Sequence, residues 1–246
     1  VGADTIAFNI SGGGVHTITP ASALPAISDA VRIDGSTQPL ASCGPTRTLL
    51  IVVDIGNVPA GATGTFDVYS DNSTVRGLVL INNELGTGVV LRGNNNTATC
   101  NNIGVGADGL AVRVDLNGLP RGGNSNGVVM YGNGNTVGGP NASDRNVIGA
   151  SINHGVAVVG ASGNAIRGNY IGLGADGTTQ VPNRNGVYLY PNSSANVVGG
   201  VTTPGACDQD CNLVTGNATY GIWIDRSSGN TVSGNYVGLD LSLIHI

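Results

Sequence analysis

The sequence predicts an all-β fold, a parallel β-helix solenoid with about three short strands per turn, and three observations point there. The first is self-similarity. Asn164 to Gly172 reads Asn-Ala-Ile-Arg-Gly-Asn-Tyr-Ile-Gly, and its pattern, Asn-x-apolar-x-x-Asn-x-apolar-Gly, recurs at Asn96 to Gly104 and Asn230 to Gly238. The copies start 68 and 66 residues apart, a fixed period that marks stacked repeats. The second is a set of short Gly-led apolar runs: Gly88 to Leu91, Gly127 to Met130, Gly155 to Val158, Gly186 to Leu189 and Gly221 to Ile224. They are too short for helices, rich in β-branched residues and bounded by Asn and Gly, so they read as strands. The third is composition: of 246 residues, 41 are Gly and 28 are Asn, as a fold made largely of corners requires.

A strand of four residues cannot bury an apolar face alone. Stacking the next turn on it at ~4.8 Å pairs its backbone and extends its core. A related half-repeat, Asn135-Thr-Val-Gly-Gly139 and Asn196-Val-Val-Gly-Gly200, sets the structural turn at about half the long period. Three strands are expected in the last turn, over 220–225, 230–233 and 235–239. Stacked asparagines are expected to hydrogen-bond along the axis as a ladder. A left-handed hexapeptide helix and a calcium-binding nonapeptide roll are set aside because their repeats are absent. A β-propeller lacks the paired Asn pattern.

In chain order, residues 1–60 form an irregular first part of the solenoid, as terminal turns commonly do. Residues 61–240 carry the regular repeats, with an excursion from Ala107 to Asn124 and inserted loops at Pro140 to Arg145, Gly174 to Arg184 and Val201 to Cys211. Insertions in solenoids tend to gather on one side, often the binding side. After Gly238-Leu239-Asp240 the expected loop gives way to Leu241-Ser-Leu-Ile-His-Ile246, which reads as translated sequencing adapter and not as native protein. The chain is therefore expected to be a C-terminally truncated fragment whose partners include further repeats of itself.

The runs Ile6-Ala-Phe-Asn-Ile10, His16-Thr-Ile-Thr-Pro20, Ser22 to Ile27 and Ile33-Asp-Gly-Ser-Thr-Gln-Pro39 resemble the entry segment of a family of bacterial right-handed parallel β-helix repeat proteins. Gly168-Asn-Tyr-Ile-Gly172 and Asp144-Arg-Asn-Val-Ile-Gly149 resemble that family's turns. The resemblance covers residues 4–240. It implies a right-handed, pectin-lyase-like fold in a bacterial protein that is secreted or held at the cell surface, and it implies no activity.

Composition narrows the partners. The net charge is −5, every base is Arg, and 14 of the 15 acids are Asp. Such a surface argues against nucleic acid, whose binding rests on a cationic patch. No run of 18 apolar residues spans a membrane. Cys207 and Cys211 flank an Asp-Gln-Asp loop and read as a local disulfide, whereas Cys43 and Cys100 either pair or stay free.

Aligning the Gly-led strands sorts side chains by parity. Val128, Met130, Val156, Val158, Val187, Leu189, Ile222 and Ile224 are expected inside. Val129, Tyr131, Ala157, Val159, Tyr188, Tyr190, Trp223 and Asp225 are expected outside. The predicted site is therefore the aromatic stripe Tyr131, Tyr188, Tyr190 and Trp223, suited to polysaccharide or cell-surface glycan; the competing reading is that inserted loops cover it. A polysaccharide lyase or glycoside hydrolase is the alternative. Its candidates Asp67, Arg92 and Asp225 look several turns apart, and no catalytic residue is assigned. His154, beside a turn, reads as a corner residue. The Gly-Ala-Asp-Gly loops at 106 and 174 read as turns. No metal site and no cofactor are expected. The leading reading is a non-catalytic scaffold or adhesive module.

Overall fold

A computed structural model describes residues 3–44, 46–58, 63–114 and 120–239. The terminal hexapeptide lies outside the described residues. Three long sheets, all parallel, contain eight, eight and six strands and are called here sheets A, B and C. The chain visits them in the order A, B, C and then returns to A one strand further along, an arrangement compatible with a parallel β-helix. Turns are numbered by their sheet A strands: Asp4–Ala7, Val31–Asp34, Thr74–Arg76, Thr97–Thr99, Thr136–Gly138, Ala165–Arg167, Val197–Gly199 and Thr231–Ser233. In turn 1, sheet C is represented only by the bridge Ile27↔Val68. An antiparallel pair, Arg113–Val114 with Pro120–Arg121, projects from turn 4. No helix of the described residues is long and apolar enough to cross a membrane.

The core is a set of axial columns. In sheet A, Ile33, Val75, Ala98, Val137, Ile166 and Val198 stack in register, each nearly inaccessible. Val128, Met130, Val156, Val158, Val187 and Leu189 do point inward from sheet C and are fully buried. Each such side chain is worth ~1.5–3 kcal/mol of burial. Ile224 belongs to the same column but is 42% exposed, since its strand is the last of sheet C among the described residues and none of these pairs with its outer edge.

Asparagine ladders pin the corners. Along the C-to-A corner the amides of Asn96, Asn135, Asn164 and Asn196 donate in succession to Oδ1 of Asn135, Asn164, Asn196 and Asn230 at 2.8–2.9 Å. A second ladder at the A-to-B corner joins Asn101, Asn146, Asn169, Asn212 and Asn235 in the same way. Both asparagines of the repeated nonapeptide are therefore ladder positions. The backbone N–H at a bend has no sheet partner, and the side chain one turn away supplies it.

The inserted loops alternate. From turn 4 onward, long connections leave sheet B for sheet C in turns 4 and 6, and leave sheet A for sheet B in turns 5 and 7. Turns only ~4.8 Å apart cannot carry bulky loops at one corner in succession. Alternation gives each loop a compact neighbour above and below, and makes the sequence period two turns long. These loops, together with the turn 2 loop that precedes Ile51–Asp54, fold over the outer face of sheet B. Cys43, Leu49 and Cys100 cover Val52 and Val79; Val105 and Val181 cover Val147; Cys207 and Cys211 cover Tyr170 and Leu213. All four cysteines are paired, Cys43 with Cys100 and Cys207 with Cys211.

Candidate ligand-binding face

The connections from sheet C back to sheet A stay short in every turn, five to seven residues, so the outer face of sheet C carries no inserted loop of its own. Register along this sheet places Asp67, Val90, Val129, Ala157, Tyr188 and Trp223 in one column. Two residues further along each strand lie Tyr69, Arg92, Tyr131, Val159, Tyr190 and Asp225.

The four predicted aromatics do share this face, and their exposures differ. Tyr131 is 46% and Trp223 36% exposed, Tyr190 is half-buried, and Tyr188 is only 6% exposed. The reason is ring stacking. Tyr188 meets Trp223 at 4.2 Å and 9°, and meets Tyr190 at 3.9 Å and 37°. Centroids this close require face contact, so both faces of Tyr188 are taken. Tyr188 and Trp223 come from adjacent turns, so their ring normals run near the coil axis. Tyr188 supports the row, and solvent meets mostly ring edges and hydroxyls instead of the flat plate that parity alone suggested.

Three members of the row escape a reading by Gly-led strands. Tyr69, 55% exposed, follows the strand Gly64–Val68, whose Thr and Phe after the glycine obscure the pattern. His154 and Tyr220 stand just before their glycines, in register with Asn185. An added Cβ at Gly155 would sit 2.7 Å from Ile171 Cγ2, so the backbone itself packs against the core there, while His154, of the same parity as inward Val156, is only half-buried. His154 reaches Tyr188 and Tyr190, and Tyr220 reaches Trp223.

Arg92 lies between Tyr69 and Tyr131, its guanidinium carbon 5.1 and 5.0 Å from the two ring centroids. It also donates to Asp67 at 2.7 Å. Asp67 and Arg92 are thus in adjacent turns, which corrects the expectation that they lie several turns apart. Asp225 and Arg226, neighbours in sequence, pair at 3.1 Å, with Arg226 at φ 44 just beyond the strand. The hydrogen bond to Asp67 raises the pKa of Arg92, and the hydrogen bond from Arg226 lowers that of Asp225.

At the centre of the row, Asn185 Nδ2 donates to His154 Nδ1 at 3.1 Å. The Tyr190 hydroxyl lies 3.0 Å from His154 Nε2, so the imidazole bridges Asn185 and Tyr190 through its two ring nitrogens. Burial, then the nearby Arg184 charge, push His154 down to about 4, while burial raises Tyr190 and Tyr188. Near neutrality all three are uncharged donors and acceptors, suited to hydrogen-bonding a ligand and poorly tuned for proton transfer.

Asp67 in turn 2 and Asp225 in turn 7 stand five turns apart, ~24 Å at ~4.8 Å per turn. A glycosidase needs its two carboxyls about 5–9.5 Å apart. Among the described residues no group of three or more His, Cys, Asp or Glu is placed to hold a metal. Asp108 and Asp176 of the Gly-Ala-Asp-Gly loops accept backbone N–H bonds within their own turns, and the two loops stack through Ala175 N and Gly109 O at 2.9 Å. Compared with known proteins, the chain matches no family model, no curated protein and no solved structure.

Proposed function

We propose that this chain is part of a right-handed parallel β-helix of the pectin-lyase-like kind, a non-catalytic module, secreted or at a bacterial cell surface, that acts as a rigid scaffold and adhesive surface for glycans. Right-handedness follows the rule for parallel strands joined by crossovers within one sheet. The pairing of every cysteine fits an oxidising compartment. One observation carries the binding reading: the inserted loops shelter sheet B and leave the aromatic row from Tyr69 to Trp223 on the outer face of sheet C.

A glycan chain would run along the axis. It would take hydrogen bonds from Tyr131, Tyr190 and the Trp223 indole, and apolar contact from the exposed rings of Tyr69 and Tyr220. Two of the charges on this face are cancelled by ion pairs with two others, Asp67 with Arg92 and Asp225 with Arg226, which favours a ligand recognised by hydroxyls. The hydrolase alternative draws no support from carboxylates five turns apart. The test is a polysaccharide pull-down combined with an assay for new reducing or unsaturated sugar ends. Retention without product is expected; product formation would replace the adhesive reading with an enzymatic one.

A further inference from the structure

A second polar feature lies on the opposite side of the coil, over sheet B, and does not depend on the glycan reading. Arg47 belongs to the loop between Val31–Asp34 and Ile51–Asp54 of turn 2, and reaches residues of turns 4 and 5. Its Nη1 donates to Asn102 Oδ1 at 3.1 Å and to Asn101 O at 3.4 Å, and its Nη2 donates to Arg145 O. Arg145 lies on the ring of buried Tyr170, its Cζ 4.1 Å from the centroid, and gives its Nε proton to Gly168 O.

Arg32, Arg76, Arg92, Arg167 and Arg226 each have a carboxylate within 4 Å. Arg47 and Arg145 have none among the described residues. Neutral carbonyls satisfy the N–H groups of Arg47 but leave its charge uncancelled, and the Nη groups of Arg145 have no hydrogen-bond partner among the described residues. Both side chains are half-buried, and two neighbouring guanidiniums without a carboxylate are poised for a counter-ion, because Arg forks match oxyanions. Burial and the repulsion of Arg145 pull the Arg47 pKa down to about 10, the direction that unmet positive charge produces.

We infer that Arg47 and Arg145 form an oxyanion-binding site on the outer side of sheet B, taking a sulfate, phosphate or carboxylate group between their guanidiniums. The group is either a free inorganic ion or one carried on a larger molecule.

The test is thermal unfolding of the full chain titrated with sodium sulfate or sodium phosphate, against sodium chloride at equal ionic strength. Sulfate stabilises most proteins without a site, so saturation and dependence on the two arginines are decisive. The native chain should show a saturable rise in Tm with a millimolar midpoint. Arg145→Met and Arg47→Met should each move that midpoint at least tenfold higher, while Arg184→Ala, at an exposed arginine just before the sheet C strand Asn185–Leu189, should leave it unchanged. A rise that never saturates, or one identical in native protein and both Met variants, overturns the site. Should a Met variant fail to fold, equilibrium dialysis of the native chain with radiolabelled sulfate replaces it; one saturable ion per chain supports the site and none overturns it. A sulfated or uronate oligosaccharide that binds at least tenfold tighter than the inorganic ion would identify the group as carried on a glycan, and equal affinity would identify a free ion.

Discussion

A buried asparagine must place both ends of its amide, and in this chain the ladders do so. Asn169 is fully buried; its Oδ1 accepts from Asn146 N at 3.2 Å and its Nδ2 donates to Val137 O and Arg167 O at 2.9 Å. Asn169→Ala strands the Asn146 amide proton and removes a donor from Val137 O and Arg167 O, the latter still accepting from Gly139 N at 3.0 Å; an unsatisfied buried group costs ~1–3 kcal/mol. A loss of ~2–4 kcal/mol in urea unfolding is expected, against under ~0.5 kcal/mol for exposed Asp29→Asn. His154 makes a second residue-level prediction. Its folded pKa lies below the ordinary 6.5, so the unfolded chain binds more protons between about 6.5 and about 4. Its contribution is complete above about 6.5 and is lost as pH falls toward about 4. His154→Gln should flatten that slope, and NMR titration of the imidazole should report the depressed value. The spacing of the asparagines revealed the ladders because hydrogen bonding along an axis repeats with the turn. The role of His154 was hidden, because its side chain departs from the inward parity of its strand and depends on Tyr190 of the next turn.

At the scale of the element, the glycine opening each sheet C strand is a packing requirement. Gly155 has no positive φ, yet an added Cβ would lie 2.7 Å from Ile171 Cγ2 and 2.8 Å from Gly186 O. Gly155→Ala should cost ~1–3 kcal/mol by overpacking, whereas Gly13→Ala, with open space around it, should be near neutral. The disulfides differ in what they close. Cys43–Cys100 spans 57 residues and Cys207–Cys211 spans 4. By loop-closure entropy, losing the first costs ~4 kcal/mol and the second ~2 kcal/mol, which Cys→Ser pairs in denaturant titrations would separate. The five Gly-led strands were legible because their pattern is local. Which corner each loop occupies was not, since alternation reflects crowding between turns. The pairing of Cys43 with Cys100 was likewise open, because it joins a loop of turn 2 to the corner of turn 4.

At the scale of the whole molecule, three parallel sheets with one side sheltered by loops and another left open make a rod with two unlike long faces. The open face holds a row of rings whose mutual stacking fixes their geometry before any ligand arrives, so little side-chain entropy is lost on binding. The parity of the sequence located this face and four of its aromatics. It missed the axial stacking, because ring orientation depends on the neighbouring turn and not on the strand itself. Affinity electrophoresis through gels carrying the retained polysaccharide tests the adhesive claim most directly, comparing the native chain with Tyr131→Ala and Trp223→Ala singly and together. Retardation should weaken at least threefold in each single variant and at least tenfold in the double variant, with unfolding midpoints close to native. Retardation unchanged in the double variant would contradict the assignment of sheet C as the glycan face.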